Sequence, residues 1–290
     1  MDFILGTAQI GQPYGVVNHT GAIDRDQAAE LINFAWKQGI RTIDTAIDYG
    51  QSQNILGQVL PHDARIITKL KADPNQHLQA QVELALKTLK RSRVYGVLIH
   101  NPESLKDTRI WQRMLELKES GLAEKIGISV YDPDEYLLHS TERNIDILQF
   151  PCNLFDQRFL RLDVQKRLKE QNTERHVRSV FLQGILLNDI SALPVYFYRF
   201  SKELSAIELQ AQKYGTSKLA LSLAFAVYLK TQGKNCDDFI LGVDSLDHLQ
   251  RIVDPLRAAE KFVQENPAFD WGKLATVQSD LIDPRRWGRK

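Results

Sequence analysis

The sequence predicts a single-domain α/β protein whose strands close into a parallel (β/α)8 TIM barrel. Short apolar segments alternate along the chain with longer segments whose apolar residues recur at helical spacing, which is typical of βα repeats. No GxGxxG fingerprint follows the first predicted strand, and this disfavours an open sheet with a Rossmann dinucleotide site. Such a barrel commonly occupies a chain of 290 residues as one domain, so we expect residues 1–290 to form one domain.

The first half of the chain alternates strand and helix signals four times. Asp24 is placed to cap the first helix and Gly39 to end it, while Pro61 ends the second. The predicted strands are Ile4–Ala8, Arg41–Thr45, Ile66–Leu70 and Val94–His100, and the predicted helices are Asp24–Gly39, Ser52–Leu60, Gln76–Arg91 and Thr108–Glu119.

The second half continues the alternation after a turn that begins at Gly121. A long loop rich in aromatic residues follows the seventh strand, and residues 265–290 are predicted to be an irregular tail over the barrel. The predicted strands are Ile126–Val130, Ile145–Phe150, Val177–Phe181 and Phe239–Gly242, and the predicted helices are Pro133–Leu138, Gln157–Glu170, Lys202–Tyr214, Ser217–Thr231 and one that starts near Ser245.

Charge and cysteine content narrow the class of protein. The chain has 37 basic and 36 acidic residues, interspersed, so nothing requires nucleic acid or an anionic membrane as partner. Cys152 and Cys236 show no metal or redox spacing, and this favours a reducing compartment. The first apolar run is too short for a signal peptide, and no run approaches a membrane span, so a cytoplasmic location is expected. The oligomeric state stays open between monomer and dimer.

Polar residues stand at the ends of three neighbouring predicted strands. Asp44 ends the second strand, with Tyr49 in the loop beyond it, Lys69 ends the third and His100 the fourth. In an α/β barrel the loops at that end converge on one mouth, where the active site is built. Taken singly, each residue has a structural alternative: a turn cap for Asp44, ring packing for Tyr49, a snorkelling lysine, or a core histidine. Together they predict one catalytic cavity.

The four residues resemble those of the aldo-keto reductase family. The similarity lies in DTAxxYGxS, which holds Asp44 and Tyr49, in the ITK run that ends at Lys69, and in the LIHNP run that holds His100. The segments LGTAQIG and LGVDSLDHL also resemble family segments, so the likeness covers nearly the whole chain. It implies that a nicotinamide cofactor supplies a hydride, that an aldehyde or ketone is reduced to an alcohol, and that Tyr49 supplies the proton.

The resemblance gives each residue of the tetrad a role. A free phenol has a pKa near ~10, too high for an efficient acid at neutral pH. An ammonium ~4 Å away would lower it by roughly three units as an upper estimate, so Lys69 is expected to activate Tyr49. Asp44 would keep that ammonium charged, and a neutral His100 would bind the carbonyl oxygen.

The resemblance also assigns residues to the cofactor. Ser129 and Gln149 would bind the nicotinamide carboxamide, and Arg178 would stack on the nicotinamide ring. Asp244 stands where NADP-preferring members usually carry a basic residue, so NADP is expected on family habit and NAD is the second candidate. The predicted cofactor-binding set is Ser129, Gln149, Arg178, Ser179, Phe181, Gly242, Asp244, Ser245 and His248.

The substrate side of the predicted site is less specific. Tyr14, Asn101 and Phe155 lie in loops that are expected to border the mouth, and the polar residues Gln9 and Asn18 hint at a sugar aldehyde or ketone. No HxH or HxxxH pair is present, so no metal site is predicted and a metal-dependent hydrolase is disfavoured. The alternative function that stays open is a cofactor-binding sensor or auxiliary subunit with little turnover.

Overall fold

Eight short apolar segments form a closed parallel barrel in this computed structural model, which describes residues 3–73 and 77–288. The strands follow one another around the barrel in sequence order, and β8 pairs with β1 in the register Leu5 to Leu241. The predicted fold class is therefore confirmed. The strands are β1 Ile4–Gly6, β2 Thr42–Asp44, β3 Arg65–Leu70, β4 Val94–Ile99, β5 Ala123–Ser129, β6 Ile147–Pro151, β7 Glu174–Arg178 and β8 Asp238–Gly242.

Helices lie between the strands and cover the barrel. Asp24 caps α1 through a capping box with Gln27, as its sequence position predicts. The predicted first residue of α3, Gln76, lies outside the described residues. The helices are α1 Arg25–Lys37, α2 Ser52–Val59, α3 Leu78–Leu89, α4 Thr108–Glu119, α5 Pro133–Ser140, α6 Leu162–Glu170, α7 Ser201–Lys213, α8 Lys218–Thr231, α9 Leu246–Glu265 and α10 Ser279–Ile282.

Apolar side chains fill both faces of the barrel wall. A small inner cluster lies among the strands, and a much larger cluster lies between the strands and the helices. Because both faces are covered, the strands read as nearly continuous apolar runs rather than alternating ones. This scaffold fixes the strand ends that carry the polar residues. The inner cluster consists of Ile4, Ile67, Leu98, Ile147 and Ile240.

Ion pairs lie near the amino ends of the strands, and they make the first residues of β5 and β7 hard to recognise in the sequence. Glu174 accepts hydrogen bonds from Tyr95 Oη at 2.6 Å and from Lys125, and it pairs with His176 Nε2 at 2.7 Å. Charged residues of this kind look like a turn in the sequence. For that reason the predictions that β5 begins at Ile126 and β7 at Val177 are wrong by three residues each.

The segment before α6 is a turn rather than the first part of a helix, so the predicted start at Gln157 is wrong. Asn153 Oδ1 accepts from the backbone N–H groups of Phe155 and Asp156, both at 3.0 Å, and closes a tight loop. Asp156 then pairs with Arg158 at 2.9 Å. These local bonds compete with helix formation, and α6 begins only at Leu162.

The tail has more structure than the sequence predicts. It contains short 3-10 helices at Trp271–Leu274 and Pro284–Arg286, with α10 between them. Trp271 packs on the side of the barrel, 5.3 Å from the Phe225 ring of α8, whereas Arg285 reaches the mouth. Two residues of the predicted tail, Arg289 and Lys290, lie outside the described residues.

Candidate active site

The four predicted catalytic residues lie at the carboxyl ends of adjacent strands. Asp44 is the last residue of β2, Lys69 is the penultimate residue of β3, and His100 directly follows β4. Tyr49 sits in a turn before α2, where its N–H donates to Ala46 O at 3.2 Å. Parallel pairing in register brings these strand ends side by side.

Asp44 and Lys69 form a buried ion pair. Lys69 Nζ lies 2.5 Å from Asp44 Oδ1, and the two side chains are 1% and 5% exposed. The second carboxylate oxygen, Oδ2, accepts a hydrogen bond of 2.7 Å from Gln149 Nε2. Since each charge is satisfied by good geometry, the pair can be kept inside the barrel.

The phenol ring of Tyr49 lies next to Lys69 and His100. Lys69 Nζ is 5.1 Å from the centre of the Tyr49 ring, and the ring meets His100 edge to face at a centroid distance of 6.1 Å. The sequence leads us to expect a lowered pKa for Tyr49. In the structure, burial raises this pKa above the usual value of a phenol, and the Asp44 carboxylate raises it further. The cation of Arg178 lowers the pKa of Tyr49, but its effect is smaller than that of burial.

His100 is held as a neutral imidazole. Burial, together with the nearby cations Lys69, Arg178 and Lys71, lowers its pKa to about 3. The backbone N–H of His100 donates to Leu70 O at 2.8 Å and fixes the loop. A neutral imidazole can donate one N–H to an oxygen in the cavity without adding a second charge beside Lys69.

The low pKa of His100 predicts an acid sensitivity of folding. The unfolded chain binds a proton at this residue below a pKa of about 6.5, whereas the folded chain does so only below about 3. The contribution of His100 to stability is complete above pH 6.5 and is lost progressively as the pH falls toward 3. Between pH 7.5 and 5 the wild type is expected to lose roughly 2 kcal/mol more unfolding free energy than a His100→Gln variant. Urea denaturation at the two pH values measures this, and equal losses would contradict it.

A cavity of about 780 Å³ opens from the tetrad along the mouth of the barrel. Asp44, Tyr49 and His100 line one end, and Asp244, His248 and Arg251 line the other. Most of the predicted cofactor residues lie along its wall. These wall residues are Gln149, Arg178, Ser179, Phe181, Gly242, Asp244 and His248.

The predicted amide and guanidinium groups lie close to the tetrad, since Gln149 binds Asp44 and Arg178 acts on the pKa values of Tyr49 and His100. Ser129, the last residue of β5, donates from Oγ to Gln149 Oε1 at 3.4 Å and lies just behind the cavity wall. Arg178 ends β7, donates to Val130 O at 2.9 Å and lies with its guanidinium carbon 4.0 Å from the centre of the Tyr131 ring. Ser179 then turns the chain with a φ of 60°, which places Phe181 in the loop beyond the strand.

The other end of the cavity carries charges of both signs. Asp244 Oδ2 lies 3.6 Å from His248 Nδ1, and Arg251 pairs with Asp247 at 3.0 Å. Ser245 is the N-cap of α9, where its side chain accepts from the backbone N–H of His248 at 3.1 Å, so its hydroxyl oxygen is engaged in the cap. Asp244 and Arg251 thus bring a carboxylate and a guanidinium to the cavity near the start of α9.

The three predicted substrate residues occupy different places. Tyr14 lines the cavity and is 39% exposed. Asn101 uses its amide to bridge the backbone N–H and C=O of Ala72 at 2.8 and 2.9 Å, and Phe155 is fully buried. Neither Asn101 nor Phe155 lines the cavity.

Two residues that line the cavity, and one residue that packs against the cavity wall, were not assigned to the site from the sequence. Tyr131 lines the cavity and also packs against Arg285, whose guanidinium carbon lies 4.2 Å from its ring centre. Gln183 lines it too and accepts from the Val16 N–H at 3.2 Å, which joins the loop after β7 to the loop after β1. Tyr131 comes two residues after the end of β5, and that position was the available signal. Neither Arg285 nor Gln183 has a comparable one.

Residues 3–73 and 77–288 contain neither a candidate metal site nor a candidate membrane span. Within these ranges no group of three or more His, Cys, Asp or Glu side chains is arranged to hold a metal ion. The same ranges contain no helix long and apolar enough to cross a membrane.

Comparison with known protein sequences gives a family match over most of the chain. The sequence profile of the aldo/keto reductase family matches residues 2–266. D-arabinose 1-dehydrogenase of Saccharomyces cerevisiae is 25% identical over 282 residues, which cover 87% of this chain and 81% of that protein. An aldo-keto reductase of Mycolicibacterium smegmatis is 28% identical over 124 residues, covering 40% of this chain and only 44% of that protein.

Solved structures share the same barrel at low sequence identity. The holo form of an aldo-keto reductase from Bacillus halodurans superposes with a TM-score of 0.72 at 17% identity, covering 98% of this chain and 95% of that one. A glycerol dehydrogenase from Gluconobacter oxydans gives a TM-score of 0.63 at 20% identity, with 92% of both chains covered. These likenesses establish the shared fold.

Proposed function

This chain belongs to the aldo-keto reductase family, NAD(P)-dependent oxidoreductases that act on small carbonyl compounds, and from that premise we propose that it reduces a sugar-like aldehyde or ketone to an alcohol. One observation carries the proposal: Tyr49, the Lys69–Asp44 pair and His100 meet at one end of a cavity large enough for a dinucleotide.

The residues around the cavity fit a nicotinamide dinucleotide. Gly6 and Gly242, which are paired in register, form part of its wall. The planar guanidinium of Arg178 offers a surface for stacking, while Ser129 and Gln149 offer hydroxyl and amide groups for a carboxamide. When bound, the nicotinamide supplies the hydride that goes to the carbonyl carbon.

The proposed mechanism assigns one step to each residue of the tetrad. His100, neutral at physiological pH, donates its imidazole N–H to the carbonyl oxygen and sets the angle of the substrate. Tyr49 gives its phenolic proton to that oxygen as negative charge develops there. Lys69 then stabilises the resulting phenolate, and Asp44 holds the ammonium in position at 2.5 Å.

The proposed substrate is small and polar. Tyr14, Tyr131 and Arg178 surround the tetrad end of the cavity with hydroxyl and guanidinium groups. Asn18, in contrast, uses its amide to hold its own loop, with Nδ2 donating to Tyr14 O and to Gly21 O, both at 3.0 Å. A relative named as a D-arabinose 1-dehydrogenase and a structural neighbour named as a glycerol dehydrogenase support a polyhydroxylated compound.

The proposed cofactor is NADPH, with NADH as the second candidate, and Asp244 is the residue that limits the preference. Its carboxylate would repel a 2′-phosphate and could accept from a free 2′-hydroxyl. We therefore expect Asp244→Asn to increase the affinity for NADPH relative to NADH by roughly tenfold, because one like charge is removed from the site. Fluorescence titration at two salt concentrations measures the ratio. Asp254→Asn, at an exposed position of α9 that does not line the cavity, is the control. An unchanged ratio in the Asp244 variant would contradict the assignment.

Titration with NADPH and NADH, followed by turnover on a panel of aldehydes, ketones and sugars, tests the proposed activity. Dinucleotide binding together with reduction of at least one carbonyl compound is the expected result. Binding without turnover on the whole panel would instead favour the sensor or auxiliary subunit, and no binding of either dinucleotide would reject the proposal. The proposed location of the protein is the reducing cytoplasm. Its two cysteines, Cys152 and Cys236, are free and buried, in keeping with that location.

A further inference from the structure

The side chain of Gln149 crosses the interior of the barrel to reach the catalytic ion pair. Gln149 belongs to β6, whereas Asp44 ends β2, which lies opposite β6 in the closed ring of strands. Gln149 Nε2 donates to Asp44 Oδ2 at 2.7 Å, although the two residues are 105 positions apart in the chain. The bond therefore joins opposite walls of the barrel.

The bond lies in the layer of side chains next to the apolar inner cluster. Gln149 stands two residues after Ile147 of that cluster, and Lys69 stands two residues after Ile67. Because side chains two residues apart on a strand share one face, both polar side chains point into the barrel. Gln149 and Lys69 are each only 1% exposed, so bulk water does not replace the contact.

The carboxylate of Asp44 is held by both of its oxygens. Oδ1 lies 2.5 Å from Lys69 Nζ, and Oδ2 accepts from Gln149. A carboxylate with one partner can pivot about that contact, whereas partners on both oxygens fix the plane of the group. The second partner comes from the opposite wall, so Asp44 cannot follow Lys69 without breaking the bond to Gln149.

The bond also fixes the orientation of the Gln149 amide. A carboxylate only accepts hydrogen bonds, so the amide nitrogen must face Asp44, and Oε1 accepts from Ser129 Oγ at 3.4 Å. Strand pairing holds the backbone of Gln149, since it is in register with Ser129 and its C=O accepts from Val130 N at 3.0 Å. Gln149 is thus a rigid anchor for the ion pair.

We propose that Gln149 is a positioning residue for the reaction, which holds Asp44 from the opposite wall and thereby fixes Lys69 beside Tyr49. Lys69 Nζ lies 5.1 Å from the centre of the Tyr49 ring, and a small displacement of a catalytic group lowers the rate strongly. The inference rests on the proposed function, since it requires Tyr49 to supply the proton. It is separate from a contact with the nicotinamide carboxamide, because that contact would use Oε1, whereas positioning uses Nε2.

The first test is Gln149→Met, which removes the donor at nearly the same side-chain length. We expect kcat at saturating dinucleotide to fall roughly ten- to hundredfold, because a hydrogen bond to a charged group is lost. The thermal midpoint of the cofactor-free variant is expected to fall too, because Asp44 Oδ2 is left buried and unpaired. Gln53→Met is the control: this buried amide donates to Thr68 Oγ1, also at 2.7 Å, but does not line the cavity, so kcat is expected to stay at the wild-type value.

The second test is the pH profile of Gln149→Glu. The introduced carboxyl keeps an acceptor for a cofactor amide, but it can donate to Asp44 only while it is protonated, since two adjacent carboxylates share one proton. Turnover relative to the wild type is therefore expected to fall about tenfold or more between about pH 5.5 and about pH 8.5, as that proton is lost and a second negative charge opposes the phenolate of Tyr49.

Three results would overturn the inference: a turnover ratio for Gln149→Glu that does not change with pH, wild-type kcat in Gln149→Met, or an unchanged thermal midpoint in Gln149→Met. Each would leave Gln149 as a cofactor contact only. If the wild type itself reduces no carbonyl compound while Gln149→Met still lowers the midpoint, the proposed function fails and the bond to Asp44 is purely structural.

Discussion

Replacing Tyr49 with phenylalanine is expected to lower kcat for carbonyl reduction by about 10²–10⁴-fold, which is the usual contribution of a positioned general acid. The ring still packs edge to face on His100, at the 6.1 Å centroid distance of the wild type, so the cavity keeps its shape. The affinity for dinucleotide is therefore expected to stay unchanged. Steady-state kinetics together with fluorescence titration separate the two quantities.

A second tyrosine provides the control for this experiment. Tyr198 is 44% exposed and does not line the cavity, so Tyr198→Phe is expected to keep wild-type kcat. If Tyr49→Phe retained wild-type turnover, another group would have to supply the proton, and Tyr14 would be the next residue to test because it lines the same cavity.

Replacing Lys69 with methionine is expected to destabilise the protein by about 3–5 kcal/mol, because it leaves the Asp44 carboxylate buried without its cation. Only the Gln149 amide would remain to bind that carboxylate, through the existing bond of 2.7 Å. Urea denaturation at pH 7.5 measures the loss. Turnover is expected to fall as well, since the phenolate of Tyr49 would lose its counter-charge.

A double variant separates folding from catalysis at this pair. Lys69→Met combined with Asp44→Leu removes both charges and is expected to recover much of the lost stability without recovering turnover. The exposed pair Arg25–Asp26 serves as the comparison, and Arg25→Gln is expected to change stability little. A single Lys69→Met variant as stable as the wild type would show that the pair is not held as a buried ion pair in solution.

The catalytic tetrad of the candidate site could be predicted from the sequence because polar and charged residues stand there at the ends of apolar strands. Asp44 and Lys69 are charged residues within apolar strand ends, and a charge in that position needs a partner. Since parallel strand ends converge, the partner had to be another residue of the same kind. His100 follows the same logic at the end of β4.

The other half depended on interactions that a linear pattern does not carry. Glu174 and Lys125 pair with each other near the amino ends of β7 and β5, and these charged residues make the first part of each strand hard to recognise in the sequence. The tight turn around Asn153 directs Phe155 into the core rather than to the mouth. Gln183 contacts the cavity only because the loops after β1 and β7 pack together.

The contact between Arg285 and Tyr131 joins two parts of the chain at the cavity, the C-terminal segment and the loop after β5. Arg285 is held by Asp283, which is 4% exposed and accepts from its Nε at 2.9 Å. The ends of β2, β3 and β4 and the loop before α2 thus supply the reacting groups, while a segment that contributes no strand to the sheet packs against the wall residue Tyr131. Changes in that C-terminal segment can therefore alter the cavity wall, and with it the choice of substrate, without changing the reacting groups of the barrel.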